Sequence, residues 1–340
     1  MLRFIAPVAI LQSQTDILLQ HLPRVFDGDV DGVHAARVVT RRIREVLPLT
    51  REWYLRIVVD DLFERFKRIG RSLGRARDAD VQIALLSQLE ARIPKAAPSL
   101  IVVRKQRERD RLEAIRKLIK RFEQLDVERL LRDVTRGLSR RIRPWTTVAG
   151  TWRQELRQTL RERARTAEDS VEHATGVYFP NRSHTARIAL KKFRYAAEIG
   201  DMTGVGFVDG ATRDLKKAQD VLGDLHDCQV LIDELPDELT PEHPDVDGDH
   251  IRLVIQVLEA QCRELHARYV PRRARLVEIC EQSQRLFADR RVAVRSAVAV
   301  GVVALSSVVY AWERASSSHD RQVDEVAIRI PLGRAASRVR

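Results

Sequence analysis

The chain has 340 residues, of which 44% are hydrophobic, 5% aromatic and 32% charged, and its formal net charge is +12. The apolar content is sufficient for a buried core, and the low glycine and proline content suits an all-helical protein of one large or two ordinary domains. The positive charge indicates an anionic partner, such as nucleic acid, an acidic lipid or another polyanion. The cysteines at positions 228, 262 and 280 lack the CxxC spacing of a zinc site or a disulfide scaffold, so we expect a reduced, cytoplasmic protein.

The chain is predicted to begin with two helices. Its first residues, MLRFIAPVAILQSQ, contain one early arginine and no small-residue cleavage site, which is not typical of a signal peptide. We predict a first helix over Ala6–Phe26. The turn DGDVDG follows, in which Asp31 is expected to cap a basic helix over Val33–Leu47.

Prolines punctuate the next part of the chain. Pro94 and Pro98 interrupt it within IPKAAP, whereas Ser99 to Arg141 contain no proline and a single glycine. That stretch predicts one long helix, which carries several arginines and lysines. Pro144 is expected to end the first half of the chain.

The second half repeats this organisation. A helix is predicted from Thr151, with arginines at positions 153, 157, 161 and 165 forming a cationic face beside an apolar stripe. A second basic helix follows over Ser183–Ala197, and another helix carries Lys216. Residues 235–250, LPDELTPEHPDVDGDH, are acidic with three prolines and predict a solvated loop. A last long helix is predicted over His250–Arg290.

The composition changes after Arg291. Residues 297–312, AVAVGVVALSSVVYAW, form an uncharged run of 16 residues, whereas a membrane-spanning helix needs about 20. We expect this segment to form a helix that packs on the rest of the protein or on a second copy. A membrane helix that begins at Val292, with Arg295 extended to the membrane surface, is the alternative. The basic tail after Glu313 is expected to be disordered.

An internal repeat relates the two basic helices, since VHAARVVTRRIREVL (33–47) aligns with SHTARIALKKFRYAA (183–197). The matched polar residues are His34 with His184, Arg37 with Arg187, Arg41 with Lys191, Arg42 with Lys192 and Arg44 with Arg194. On an α-helix the arginines at 37, 41 and 44 share one face, and the apolar residues share the opposite face. Each helix therefore presents a cationic stripe opposite its core-facing side.

A second motif follows each basic helix, since KRIGRSLGRARDADV (67–81) aligns with KKAQDVLGDLHDCQV (216–230). The alignment matches Lys67-Arg68 with Lys216-Lys217, Leu73-Gly74 with Leu222-Gly223, and Asp78 with Asp227. The interval from histidine to aspartate is 44 positions in the first copy and 43 in the second. We interpret each Leu-Gly as a helix end and each aspartate as the cap of the next helix.

The pattern H-x-x-R-x-x-x-[RK]-[RK]-x-R with a later LGxxxD, present twice, resembles the CHAD family, the conserved histidine α-helical domain. The resemblance covers roughly Thr15 to Arg290. It implies an all-α fold of two pseudo-symmetric four-helix bundles around a basic central pore, and non-catalytic binding of inorganic polyphosphate. Many relatives carry an N-terminal triphosphate-tunnel domain with an ExExK motif. The CHAD helices begin too early here for such a domain, so triphosphatase activity is not implied.

The predicted domains are a first bundle over 6–143, a second over 144–291, the apolar helix 292–313 and the tail 314–340. The basic faces by themselves predict a polyanion site. The resemblance implies that the ligand is polyphosphate and that the two stripes pack together, which would place the two histidines near one cavity with Lys67 and Lys216 at its rim. The residues expected to bind polyphosphate are His34, Arg37, Arg41, Arg42, Arg44, Lys67, Arg68, Arg157, Arg161, His184, Arg187, Lys191, Lys192, Arg194, Lys216 and Lys217. Neither a cofactor nor a metal is expected. Binding would direct the protein to polyphosphate granules and, through the histidines, strengthen below about pH 6.5.

Several alternatives remain open from the sequence. A single basic helix face is usually a solvated surface, although its recurrence at matched positions favours a binding role. The two histidines alternatively form structural hydrogen bonds to Asp78 and Asp227, and metal binding lacks a second His or Cys one turn away. A nucleic-acid binder would need stacking aromatics, of which the basic faces offer Tyr195. A phosphate-transferring enzyme would need carboxylates for a divalent metal, and only Glu45 and Glu198 lie on these faces.

Overall fold

A computed structural model describes residues 6–137, 151–206, 208, 210–240 and 243–288, and over these residues all regular structure is helical, as predicted. The α-helices are α1 (Ala6–Phe26), α2 (Val30–Val46), α3 (Arg56–Arg92), α4 (Ala97–Gln124), α5 (Val127–Gly137), α6 (Thr151–His173), α7 (Pro180–Met202), α8 (Ala211–Glu234), α9 (Gly248–Tyr269) and α10 (Arg273–Ala288). Short 3-10 turns occupy Leu47–Thr50, Leu235–Glu238 and Val270–Arg272. The predicted segments 292–313 and 314–340 lie outside the described residues.

The helices of the first half pack together because each carries a stripe of buried apolar side chains. α2 lies between α1 and α3, α3 packs against α4, and α5 packs against α1. Buried side chains from all five helices belong to one apolar cluster, among them Leu18, Ile43, Phe66, Leu118 and Leu131. Each such side chain contributes about 1.5–3 kcal/mol when it is removed from water, which is what holds these helices together.

The same order of packing recurs in the second half. α7 lies between α6 and α8, α8 packs against α9, and α10 packs against α6. The halves meet where α2 contacts α7 and where α3 contacts α8. The two basic helices of the repeat are therefore neighbours, and so are the two helices that carry the Leu-Gly motifs.

The turn before α2 forms where it was predicted, but with a different cap. The N-cap is Asp29 and not Asp31, because the Asp29 carboxylate accepts a hydrogen bond from the Gly32 N–H at 2.7 Å. Asp31 instead lies in the first turn of the helix, where its charge favours the helix dipole. Gly28 takes a φ of 68°, a left-handed conformation that turns the chain sharply between α1 and α2.

The Leu-Gly motifs are not helix ends. α3 continues through Leu73-Gly74 and Asp78, and α8 continues through Leu222-Gly223 and Asp227. The predictions of helix ends and of aspartate caps are therefore both wrong. The leucines are buried in the core and neither glycine takes a positive φ, so the backbone has no left-handed residue at which to stop the helix.

Two helices that were predicted as single are each interrupted. α4 ends at Gln124 and α5 begins at Val127, since Asp126 between them takes a left-handed φ of 41°. α9 and α10 are separated by the turn that contains Pro271, which has no N–H to donate to a continuous helix. Part of the first prediction, residues 138–141, lies outside the described residues.

Polar contacts of α4 also join the two halves. Arg107 pairs with Glu234 at 3.2 Å and with Glu238 at 2.8 Å, and Gln82 of α3 donates to Glu234 at 2.7 Å. Glu238 is buried, although it lies in the acidic segment that was expected to be a solvated loop. That expectation is wrong at this residue, because the arginine compensates the charge of a carboxylate removed from water.

No helix in the described ranges is long and apolar enough to cross a membrane. The apolar run 297–312, for which a membrane helix was the alternative, lies outside those ranges. Cys228, Cys262 and Cys280 are buried free thiols.

Candidate functional site

A cavity of about 590 Å³ lies where α2, α3 and α7 meet. Seven cationic side chains, two carboxylates, two glycines, an isoleucine and a tyrosine line it. The lining residues are Arg37, Arg41, Arg44 and Glu45 of α2, Gly70, Arg71, Gly74, Arg75 and Asp78 of α3, and Ile188, Lys191, Lys192 and Tyr195 of α7. The lining is thus strongly cationic, and it draws on all three helices.

The cations of α2 and α7 crowd one another. Residues 37, 41 and 44 share one face of α2, and the contact between α2 and α7 brings Lys191 to that face. Burial and the neighbouring arginines hold the pKa of Arg41 well below its ordinary range. Burial and the nearby guanidinium of Arg41 lower the pKa of Lys191 to about 8. A bound anion would relieve this repulsion, since an opposite charge favours the charged form of both groups.

Two guanidinium groups lie over the ring of Tyr195. The Cζ atom of Arg41 is 4.4 Å from the centre of its ring, and that of Arg194 is 4.7 Å away. These distances are those of cation–π contacts, which hold the ring in place. The side chain is only 5% exposed, yet its hydroxyl has no hydrogen-bond partner among the described residues. A buried donor in the wall of a cationic cavity is suited to an oxygen of a bound anion.

Two glycines of α3 allow the α2 arginines to lie against its backbone. A Cβ atom at Gly70 would be 3.5 Å from Nη1 of Arg44, and one at Gly74 would be 3.7 Å from Nε of Arg37. A longer side chain at either position would occupy space beside these guanidinium groups. Nε of Arg44 is buried and has no hydrogen-bond partner within the described part of the chain.

Both carboxylates of the lining face arginines. Glu45 accepts a hydrogen bond from Arg163 of α6 at 2.7 Å, and Asp78 lies 3.9 Å from Arg37. The carboxylates therefore offset part of the positive charge. Since each faces a cation, neither is well placed to hold a divalent metal.

The two repeated histidines are not among the lining residues. His184 lies with its Nδ1 3.3 Å from Nδ1 of His226, so His226 and not Asp227 is its hydrogen-bond partner. His34 is exposed, and Arg77 is the charged group that most affects its ionisation. The repeat matches Arg77 with His226. The position that is an arginine near His34 is therefore a histidine beside His184. Burial, followed by nearby arginines, lowers the pKa of both His34 and His184, which moves the expected titration below pH 6.5.

Three other predicted residues lie close to the cavity without lining it. Arg187 is near enough to Lys191 to lower its pKa. Arg42 and Arg194 both pair with Glu198, and the distance from Arg42 is 3.4 Å. Glu198 therefore neutralises arginines, as Glu45 does.

The rest of the predicted binding residues lie outside the lining. Lys67 pairs with Glu64 and Lys216 with Asp220, each at 2.9 Å, and neither lysine is among the lining residues. The predicted residues Arg68, Arg157, Arg161 and Lys217 are also absent from the lining.

Sequence reasoning missed Arg71 and Arg75. They lie one turn apart on the face of α3 that also carries Gly70, Gly74 and Asp78. Their spacing was visible in KRIGRSLGRARDADV. It was overlooked because the motif was interpreted as a helix end, which hides the periodicity of a continuous helix.

The fold and the cavity define a class of protein: an all-helical chain in which repeated basic helices meet at a cationic cavity. The sequence model of the CHAD domain matches residues 9–236, about two thirds of the chain, and the chain belongs to this family. The match ends before Arg290, the limit that was expected from the motifs.

Two solved structures share the fold. The CHAD domain from the plant Ricinus communis is 23% identical, with 80% of this chain and 91% of that chain covered and a TM-score of 0.58. PptA from Streptomyces chartreusis is 16% identical, with 81% and 98% covered and a TM-score of 0.53. At these identities the likeness concerns the fold alone. No curated protein sequence matches the chain.

Proposed function

We propose that this protein binds inorganic polyphosphate in the cavity between α2, α3 and α7, without turning it over. The observation that carries the proposal is the lining itself, in which seven cations from three helices face two carboxylates. Polyphosphate presents closely spaced anionic oxygens along a chain. Guanidinium and ammonium groups one helical turn apart suit successive phosphates. Membership of the CHAD family agrees with this ligand, and binding would direct a cytoplasmic protein to polyphosphate granules.

The proposal includes two pseudo-symmetric four-helix bundles around a basic pore, of which the cavity is a part. The repeated order of helix packing supports it: α1 to α5 pair with one another as α6 to α10 do. In this arrangement α4 with α5, and α9 with α10, each count as one interrupted helix. Equivalent helices of the two bundles meet across the pore, as α2 meets α7 and α3 meets α8.

Features of the lining favour a polyphosphate receptor over a nucleic-acid binder and over a phosphate-transferring enzyme. The aromatic ring in the cavity, Tyr195, is buried and has two guanidinium groups over it, so it offers no open surface on which a base could stack. Glu45 and Asp78 each face an arginine and do not form a divalent metal site of the kind that phosphate-transferring enzymes use.

The test is a calorimetric titration of the full chain with long-chain polyphosphate, single-stranded DNA and double-stranded DNA. Each is run at about 50 and 200 mM salt, since counterion release makes a single salt condition uninterpretable. The variant carries Arg37→Ala, Arg41→Ala, Arg187→Ala and Lys191→Ala. The matched control is R129A/R132A on α5, which removes two exposed arginines that pair with Asp133 and Glu128.

We expect polyphosphate to bind more tightly than either DNA at both salt concentrations. Binding should collapse in the fourfold variant and persist in the α5 control. Equal binding of all three polyanions, with no effect of the four substitutions, would show that the basic residues are only surface charge. Release of orthophosphate during the titration would contradict a receptor without turnover.

A further inference from the structure

We propose that the cavity is one-sided: bound polyphosphate lies along α3 of the first half and does not extend over the equivalent face of α8. This inference rests on the proposed function and concerns which part of the repeat holds the ligand. Two differences between the copies support it, in the charge of the stripe and in the partners of one arginine, and a third observation concerns the contact between α3 and α8.

The first difference is an inversion of charge. The register that matches Asp78 with Asp227 also matches Arg71 with Asp220 and Arg75 with Asp224. The two arginines of α3 line the cavity, whereas the two aspartates of α8 are exposed on the corresponding face. Asp220 pairs with Lys216 at 2.9 Å, so the α8 stripe offers a polyanion no excess of positive charge, whereas the α3 stripe offers two arginines.

The second difference concerns the arginine at the end of each basic stripe. Arg194 donates through Nε to Gln219 at 2.7 Å and also pairs with Glu198, so its hydrogen-bonding groups are engaged within the protein. Arg44, its counterpart, lies against Gly70, the residue that the register matches with Gln219. Because glycine has no side chain to engage it, Nε of Arg44 is left without a partner in the described ranges. The first copy therefore keeps a donor for a ligand, where the second copy satisfies it internally.

A third observation comes from the place where α3 and α8 meet. Asp227 is close enough to Asp78 for the charge of Asp78 to raise its pKa, although burial is the larger cause and Arg187 acts in the opposite direction. Asp224 lies one turn before Asp227 on the same helix. Since α3 contacts α8, the negative charges of Asp78 and Asp227 would oppose a polyphosphate chain that crosses onto α8.

A one-sided site takes a short length of chain. Of the seven lining cations, Arg37 faces Asp78, while Glu45 is offset by Arg163 from outside the lining. About six positive charges are then left uncompensated in the lining. They match about six internal phosphates, each of which carries about one negative charge, as in a nucleic acid backbone. Affinity per chain should therefore rise steeply up to about this length and only gradually beyond it.

The inference is tested with variants that erase or copy the asymmetry. R71A/R75A removes the two arginines of the α3 stripe, and D220R/D224R places arginines at the equivalent positions of α8. Gly70→Gln gives Arg44 the partner that Arg194 has, and Gly70→Ala is the comparison that adds a Cβ at this position without an acceptor. On α5, R129A/R132A and E128R/D133R make the same changes of charge at exposed positions. Each protein is titrated with tripolyphosphate and with long-chain polyphosphate over a range of salt concentrations, and its fold is checked by circular dichroism and thermal unfolding.

We expect R71A/R75A to weaken long-chain binding about 100-fold and to reduce the slope of log K against log salt by about 1.5, since each lost contact reduces it by roughly 0.7–0.9. D220R/D224R should increase that slope and strengthen long chains about tenfold more than tripolyphosphate, because only a long chain reaches both stripes. Gly70→Gln should weaken binding about tenfold more than Gly70→Ala does, the value of one charged hydrogen bond, since both variants add a Cβ beside Arg44 and only glutamine adds an acceptor.

Two results would overturn the one-sided site while leaving polyphosphate binding intact. One is an effect of R71A/R75A no larger than that of R129A/R132A. The other is weaker binding after D220A/D224A, which would place those carboxylates in the site. If the unmodified chain binds neither tripolyphosphate nor long chains, the proposed function itself is wrong, so the two failures are distinct.

Discussion

Replacing Tyr195 with phenylalanine should stabilise the free protein and weaken its binding of polyphosphate. The hydroxyl is buried and has no hydrogen-bond partner in the ranges that the structure describes. Burying an unsatisfied polar group costs about 1–3 kcal/mol, so its removal should raise the free energy of unfolding by about 1 kcal/mol and Tm by about 2 °C. If the same hydroxyl donates to a phosphate oxygen, its loss should cost about 1.5 kcal/mol of binding, or roughly tenfold in affinity.

The control is Tyr269→Phe, because Tyr269 is also fully buried with a hydroxyl for which the described residues provide no partner. Tyr269 is not a lining residue, so this variant should gain stability and keep its affinity. Chemical denaturation without ligand and calorimetric titration with long-chain polyphosphate measure the two effects separately. A Y195F protein that is less stable than the original and binds polyphosphate equally well would refute the argument, since the hydroxyl would then serve the free protein and not the ligand.

Two further predictions concern the charges of Lys191 and Arg107. Affinity for polyphosphate should fall as the pH rises through about 8, where Lys191 loses its proton, and K191R should lessen the fall in titrations from pH 7 to 10. Because the folded-state pKa of Lys191 lies below its ordinary 10.5, the unfolded chain binds more protons between these values, and this group's contribution to unfolding free energy should rise with pH across that window. Arg107→Ala should destabilise the protein by about 3 kcal/mol, since it leaves Glu238 buried without its cation, and R107A/E238Q should recover part of that loss in urea denaturation. Equal stability of the single and double variants would show that Glu238 does not depend on Arg107.

The fold class and several helix limits could be predicted from local patterns. A first helix over Ala6–Phe26 and a helix from Thr151 were predicted, and both are confirmed. The break at Asp126 could not be predicted, because its left-handed φ arises where the sequence has neither glycine nor proline. The break at Pro271 was missed although proline is the usual signal for one. Of the two breaks, the one at Pro271 carries a local signal in the sequence and the one at Asp126 does not, so only the second lay beyond prediction from local patterns.

The charge of the candidate site was easier to predict than its composition. The repeat identified Arg37, Arg41 and Lys191, which line the cavity, because helical periodicity places them on exposed faces. It could not distinguish Arg44 from Arg194, since their difference depends on which residue of the neighbouring helix lies beside each guanidinium group. That information is spread over segments far apart in the sequence. An internal repeat shows which positions correspond in the sequence. Whether corresponding side chains make the same contacts depends on their neighbours in the folded protein.

Because α3 is one continuous helix, the number of residues between two of its contacts matters as well as the identity of those residues. This helix of 37 residues is about 55 Å long, and it carries Arg75 in the cavity and, further along, Gln82 and Arg92, which reach Glu234 and Gln261 of the other half. Each residue turns an α-helix by about 100°, so one residue inserted or deleted between Arg75 and Gln82 would rotate the junction by that angle relative to the cavity. The number of residues between these points is therefore constrained. α3 thus fixes the orientation of the cavity relative to the contacts that join the two halves.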